Sequence, residues 1–303
     1  MADRSRLQRD LLASCWTWSG DVGPGSPAEH SPVPWPERVA ALAASGWRGV
    51  GLAHADVLAL ARDVGLERVR RDLAGAGVER IELEMLRGWW ADGEERAASD
   101  RKRDELLDAA AALGASALKV GARARRPGSP DPEPQRFLAD FVALAERASG
   151  FGVDVALEAM SNTNLPRLAD AVAFVAAAGH PRAGLAVDNL QLLKSGDADP
   201  SALPGLLAGV PIFVVEVADA PLDPALRDDP DADRGVGPRR IPGQGDADAA
   251  AFIAALWRAG WRGQWGVEII SEDLRGLPLS AGLDAVAAGT RAWLDEAQRL
   301  LDA

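Results

Sequence analysis

The chain has 303 residues but only one cysteine, three histidines, three lysines and no tyrosine. A lone cysteine, Cys15, excludes an intramolecular disulfide and a thiolate zinc site. His30, His54 and His180 lie far apart in sequence, which argues against a histidine-rich metal centre. Acidic residues outnumber basic ones, 45 to 33. The formal net charge of -12 opposes nucleic acid or an anionic membrane surface as partner, because both attract Lys/Arg fields. No apolar run reaches 18 residues, and Met1–Leu12 lacks a basic stretch followed by an apolar one. The expectation from these absences is a cytoplasmic protein without membrane spans.

What is present suits a large globular core. Hydrophobic residues make up 48% and charged residues 26%, which excludes a low-complexity or disordered chain. Short apolar runs alternate with Ala/Leu/Arg-rich stretches throughout. The runs Leu11–Trp18, Gly49–Ala53, Arg80–Met85, Ala117–Gly121, Val153–Ala159, Gly184–Asp188, Ile212–Ala218 and Gly266–Ile270 read as strands. Between and after them, helices are expected from Pro36–Glu37 onward and over Val57–Gly77, Arg101–Leu113, Pro134–Ser149, Leu165–Ala178, Ala202–Leu207, Asp246–Ala259 and Ala281–Asp302. Strict strand–helix alternation implies a parallel sheet with right-handed crossovers. Eight such units predict an α/β fold, a single (β/α)8 TIM barrel over residues 1–303.

Glycines at Gly46, Gly77, Gly114, Gly179 and Gly260 stand where left-handed helix C-caps are needed. The Pro/Gly/Asp-rich stretch Pro221–Gly245, an insertion at about 219–246, falls after strand seven. On a barrel this is a catalytic-face loop, read as an active-site wall, with a solvated spacer as the alternative. Arg123–Pro134 is a similar insertion after strand four.

Reacting groups of a β/α barrel sit where strands end. Strand five ends at Glu158 and strand six at Asp188; Glu216 and Asp219 close strand seven, and Glu268 interrupts strand eight. Each carboxylate stands in an apolar run, where an unpaired charge is very costly. Four converging carboxylates repel one another unless a cation lies between them. A hard divalent ion bound by oxygen, Mn2+ or Mg2+, is the expected remedy. Glu216 has a second reading as ion-pair partner of Arg239 or Arg240, and Asp219 reads as a supporting residue or helix cap.

Other strand-end groups carry two readings each. His54 closes strand two as a proton-transfer group or a structural histidine. Glu84 ends strand three as a base or an ion-pair partner. Lys119, inside an apolar strand four, anchors a substrate oxyanion or neutralises the carboxylates; a Schiff base is a weaker third reading. Trp16 and Trp18 after strand one, and Trp89 and Trp90 after strand three, either line a sugar-ring pocket or close the barrel mouth. Asn162 and Asn164 bind hydroxyls or cap a loop. Gly20, Gly23 and Gly25 lack the strand-to-helix context of a phosphate cradle, and Ser271 lacks the His–Asp partners of a hydrolase triad.

The strand-end segments LEAMSNTNL (Leu157–Leu165), GLAVDNLQLLKSG (Gly184–Gly196), VEVADAP (Val215–Pro221), RRIPGQGD (Arg239–Asp246) and GVEIISEDL (Gly266–Leu274) resemble the sugar phosphate isomerase/epimerase superfamily, the xylose isomerase-like barrels, across nearly the whole chain. The VEVADAP and PGQG pair resembles its dehydroshikimate-dehydratase-like branch most. The resemblance implies one divalent metal on Glu158, Asp188, Glu216 and Glu268, with Glu158 and Glu268 also moving the proton. Glu216 occupies a position that is usually neutral, so a nearby cation such as Arg240 or a raised pKa is expected. Gln191 stands where a substrate-touching His is common; it binds a hydroxyl but cannot exchange protons.

The expected function is a metal-dependent sugar or polyol isomerase or epimerase acting through an enediolate, with Trp16, Glu84, Trp90, Asn164, Gln191 and Arg240 binding substrate. Two alternatives stand beside it: a dehydratase or lyase on an inosose, dehydroshikimate or keto-glycoside, and a non-catalytic accessory subunit of the same fold. The endonuclease branch of this barrel needs histidines and basic charge that are lacking here. Expected partners are a small sugar, polyol or keto acid, and a second copy of the chain.

Overall fold

A computed structural model describes residues 6–125, 131–197 and 199–303. In it, β1 (Leu11–Ala13), α1 (Cys15–Trp18), α2 (Trp35–Ser45), β2 (Gly49–Ala53), α3 (His54–Asp63), α4 (Leu66–Gly75), β3 (Arg80–Leu86) and α5 (Gly93–Leu113) build the first part of the chain. They are followed by β4 (Ala117–Gly121), α6 (Pro134–Ser149), β5 (Asp154–Glu158), α7 (Leu168–Ala178), β6 (Ala183–Asp188), α8 (Asn189–Ser195) and α9 (Leu203–Leu206). The remainder is β7 (Ile212–Val217), α10 (Ala249–Arg258), β8 (Trp265–Val267), α11 (Glu272–Arg275) and α12 (Leu279–Asp302). All strands pair in parallel, in sequence order, and β1 pairs with β8 to close an eight-stranded barrel. Among the described residues, no helix is long and apolar enough to cross a membrane.

Period-two alternation decides what lies inside the barrel. Ala117, Ala156, Ala186 and Val214 form an apolar cluster separate from the main core. Each stands two residues before Lys119, Glu158, Asp188 or Glu216 on its strand, and therefore on the same face. Small side chains thus fill the layer below, and ionisable ones top it at the C-terminal mouth. The outward faces of the strands pack Leu, Val and Ile against the helices, with Val155, Leu157, Leu185 and Val267 fully buried.

The sequence expectations met some local corrections. The first strand stops at Ala13, because Cys15–Trp18 turns into a helix. Thr17 Oγ1 donates to the Val267 carbonyl at 2.7 Å, which ties that turn to β8. The helix expected over Val57–Gly77 is two helices broken at Gly65, whose φ of 85° ends the first. The helix after β3 starts at Gly93, earlier than expected, while α8 and α11 were not foreseen. Gly46, Gly77, Gly114, Gly179 and Gly260 all have positive φ, as the caps require. The strand-four insertion at 123–134 lies partly outside the described residues.

Candidate active site

Five carboxyl groups and two cations converge at the barrel mouth, all from strand ends or the loop after β7. Glu158, Asp188 and Glu216 each offer one oxygen within 4.8 Å of the others, and Glu84, Glu216 and Glu268 form a second such group. All five are buried. Lys119 Nζ lies 2.5 Å from Glu84 Oε2, 2.6 Å from Glu216 Oε1 and 3.2 Å from Glu268 Oε1. Arg239 Nη2 donates to Asp188 Oδ2 at 2.6 Å and pairs with Glu268 Oε2 at 2.8 Å. Five carboxyl groups against two cations leave an excess of three negative charges.

That excess shows in the proton affinities. Burial, with the nearby Glu268 and Asp188 charges, pushes the Glu158 carboxyl up to about 8 despite Lys119 and Arg239. Burial and then Glu268 hold Glu216 well above the usual carboxylate range. Glu268 goes the other way: burial alone would raise it, but Lys119 and Arg239 outweigh burial and hold it low. Lys119 stays protonated because surrounding carboxylates overcome the burial that would otherwise strip its charge.

Small residues make room for this crowd. A Cβ at Gly51 would meet Glu84 Oε1 at 2.6 Å. Ser14, one residue past β1, donates its hydroxyl to Glu216 Oε1 at 2.8 Å or Glu84 Oε1 at 3.1 Å. Asp188 Oδ1 caps α8, accepting from the Leu190 and Gln191 amides at 2.7 and 3.2 Å. Glu216 Oε2 is buried with no hydrogen-bond partner among the described residues. A buried group of three carboxylates, one of which (Glu216) keeps an oxygen without a hydrogen-bond partner, fits a hard divalent cation, with negative charge left over.

Glu84, Glu158 and Glu268 line a cavity of about 490 Å³ together with Trp16, His54, Arg87, Lys102 and Gln191 among others. His54 is set by Glu105 of α5, 2.7 Å from its Nε2. An ionised carboxylate only accepts, so the neutral ring carries its proton on Nε2 and leaves Nδ1 unprotonated. Burial lowers the His54 pKa, which favours that neutral form. Arg87 is exposed, and its guanidinium reaches two sulfur atoms, at 3.3 Å to Met85 and 3.9 Å to Met160. Lys102 has no ion-pair partner among the described residues.

Several expected site residues lie elsewhere. Arg240 pairs with Asp273 in solvent, and Arg239 is the cation that reaches the carboxylates. Trp90 packs on Trp89, 5.0 Å between ring centroids, and lines a neighbouring cavity of about 570 Å³. Trp18 and Trp89 are core residues, their indole N–H groups donating to Gly51 and Gly121 carbonyls at 2.7 and 2.9 Å. Asn164 accepts from the Arg123 amide at 2.9 Å, which makes it a loop cap. Asp219 accepts from the amides of Ala220, Gly243, Gly245 and Ala247 at 2.8–3.1 Å. It therefore folds the PGQG turn. Ser14 and Arg87 went unforeseen, since a single serine or surface arginine carries no pattern; Arg239 was foreseen only as a partner of Glu216.

A family model described as xylose isomerase-like TIM barrel matches residues 39–300. The 3-dehydroshikimate dehydratase of Pseudomonas aeruginosa is 31% identical over 248 residues, 81% of this chain and 38% of that protein. A solved xylose isomerase-like TIM barrel/4-hydroxyphenylpyruvate dioxygenase fusion protein superposes with a TM-score of 0.74 at 25% identity, covering 97% of this chain and 44% of that one. The IolI protein, solved with a binding zinc atom, shares the fold with a TM-score of 0.77 at 15% identity over 94% of this chain and 98% of its own. The chain spans about two fifths of the curated relative's length.

Proposed function

Since the chain belongs to the xylose isomerase-like TIM barrel family, we propose that it is a divalent-metal-dependent enzyme that takes the α-proton of a small hydroxy-keto acid and expels water. The observation that carries this reading is the triad of Glu158, Asp188 and Glu216 with its unpartnered Glu216 Oε2. These three residues would hold the ion, with Glu268 beside them. A bound divalent ion supplies Lewis acidity, polarising a carbonyl and an adjacent hydroxyl.

The protein's own groups do the rest. His54 Nδ1 has no hydrogen-bond partner among the described residues, and Glu105 fixes the ring, so the imidazole is the base for the C–H bond. Its electrons form the new C=C bond as the β-hydroxyl departs. The same imidazole then hands its proton to that hydroxyl, and water leaves. Glu268 is a poorer base than the resemblance implies, because Lys119 and Arg239 stabilise its anion. Gln191 binds a hydroxyl, and Trp16 walls the cavity.

Elimination is preferred to isomerisation on two grounds. The relative at 31% identity is named a dehydratase. Arg87 and Lys102, both without an ion-pair partner among the described residues, line the cavity as a seat for a substrate carboxylate, which a neutral sugar lacks. The test is incubation of Mn2+-loaded protein with 3-dehydroshikimate in D2O. Water loss aromatises the ring and creates a new ultraviolet band. Deuterium entering recovered ketone without that band would instead support an isomerase or epimerase. Neither signal, with metal bound, would favour the accessory-subunit reading.

A further inference from the structure

The two carboxylate triads share Glu216 but are occupied differently. In the triad of Glu84, Glu216 and Glu268, Lys119 Nζ touches every member, at 2.5, 2.6 and 3.2 Å. In the triad of Glu158, Asp188 and Glu216, Arg239 pairs with Asp188, and Glu216 Oε2 has no hydrogen-bond partner among the described residues. Glu216 is 2% exposed; its Oε1 is held by Lys119, and its Oε2 is buried without a hydrogen-bond partner among the described residues.

We propose that Lys119 is a tethered substitute for a second metal ion, filling the Glu84–Glu216–Glu268 triad so that the barrel mouth takes one divalent cation instead of two. The proposal rests on the reading of Glu158, Asp188 and Glu216 as the metal site. An ammonium offers three donors, matching three carboxylates. Anchored in the middle of β4, it cannot dissociate. By holding Glu216 through Oε1, Lys119 also positions the one ligand that the two triads share.

Charge supports the assignment. One divalent ion with Lys119 and Arg239 brings four positive charges to five carboxyl groups. Without Lys119, Glu84 and Glu216 lose their cation and Glu268 keeps only Arg239, and such a crowd of buried carboxylates draws in a hard cation. Two divalent ions plus Arg239 would then balance the five carboxyl groups completely.

The test compares chelator-stripped wild type, Lys119→Met and Lys119→Gln after loading with Mn2+ and gel filtration. Metal per chain is measured by mass spectrometry, and ion–ion coupling by electron paramagnetic resonance. Wild type is expected to hold one ion with an isolated-Mn2+ spectrum. Whichever Lys119 variant folds is expected to hold two, with an exchange-coupled spectrum. Adding Glu84→Gln to that variant, which breaks the second triad and relieves its charge, is expected to return it to one ion. Wild type with one ion and folded Lys119 variants with one or none would overturn the role of Lys119 alone. Wild type with no ion would overturn the metal site beneath it.

Discussion

Arg239 donates to Asp188 Oδ2 at 2.6 Å across 51 residues of chain, and the same Nη2 lies 2.8 Å from Glu268 Oε2. One guanidinium from the long loop after β7 thereby joins the ends of two non-adjacent strands. Arg239→Met leaves both carboxylates buried without it, an uncompensated loss worth about 3–5 kcal/mol. A large fall in melting temperature is expected in the stripped protein, partly recovered by Mn2+. Arg239→Lys should recover less than a full ion pair, because an ammonium lacks the planar fork. Calorimetry with and without metal checks both.

His54→Gln is expected to lower kcat by about 100- to 10,000-fold, the usual contribution of a general base, while Mn2+ content stays unchanged. Glu105→Gln should cost less, since it only frees the ring that Glu105 orients. Steady-state rates on 3-dehydroshikimate beside metal analysis separate this from damage to the metal site.

Stability of the stripped protein should fall as pH rises. Glu158 in the folded state titrates at about 8, above an ordinary carboxyl, and Glu216 is shifted the same way. The folded chain therefore binds more protons than the unfolded one between an ordinary carboxyl pKa and about 8. The stabilisation is full below that window and is lost as pH climbs through it. Melting temperatures at successive pH values check the slope, and saturating Mn2+ should flatten it. A slope of opposite sign would contradict the burial of these groups.

Asp219→Ala removes the acceptor shared by four loop amides. Of these, the Ala220 and Ala247 amides are buried, and a buried donor left unpaired costs about 1–3 kcal/mol. Faster hydrogen exchange at Gly243, Gly245 and Ala247, with reduced activity as Arg239 loses its support, is the expected result. Exchange mass spectrometry reads it.

Arg87→Gln should raise KM for an anionic substrate about tenfold or more and leave kcat nearly unchanged, since a charge-assisted hydrogen bond contributes about 1.5–3 kcal/mol. Binding of 3-dehydroshikimate and of its uncharged methyl ester checks this. Equal affinities in the unsubstituted protein would contradict the carboxylate seat.

The barrel was legible because its signal repeats. Eight apolar runs, each followed by a helical stretch, leave little freedom for topology. Glu158, Asp188, Glu216 and Glu268 stood out because each breaks an apolar strand. Lys119 stood out because lysine is rare in this chain. Arg239 and Arg240 could not be told apart, since neighbours in a loop have no fixed face; only the bridge of Asp219 with Arg240 turns one outward and the other in. Trp16 and Trp18 were indistinguishable for a related reason. The run Leu11–Trp18 reads as strand throughout, and the turn that buries Trp18 depends on contacts with Val267 and Gly51 from distant segments. Glycine caps were readable residue by residue, because a positive φ is a local demand.

The central claim is that Glu158, Asp188 and Glu216 hold one divalent ion. Calorimetric titration of the stripped protein with Mn2+, repeated on Asp188→Asn, tests it most directly. One ion per chain is expected, with affinity falling on the order of 100-fold in the variant, at least as much as loss of an outer-shell partner costs. A stripped wild type that takes up no Mn2+, or a variant that binds it equally well, would contradict the account.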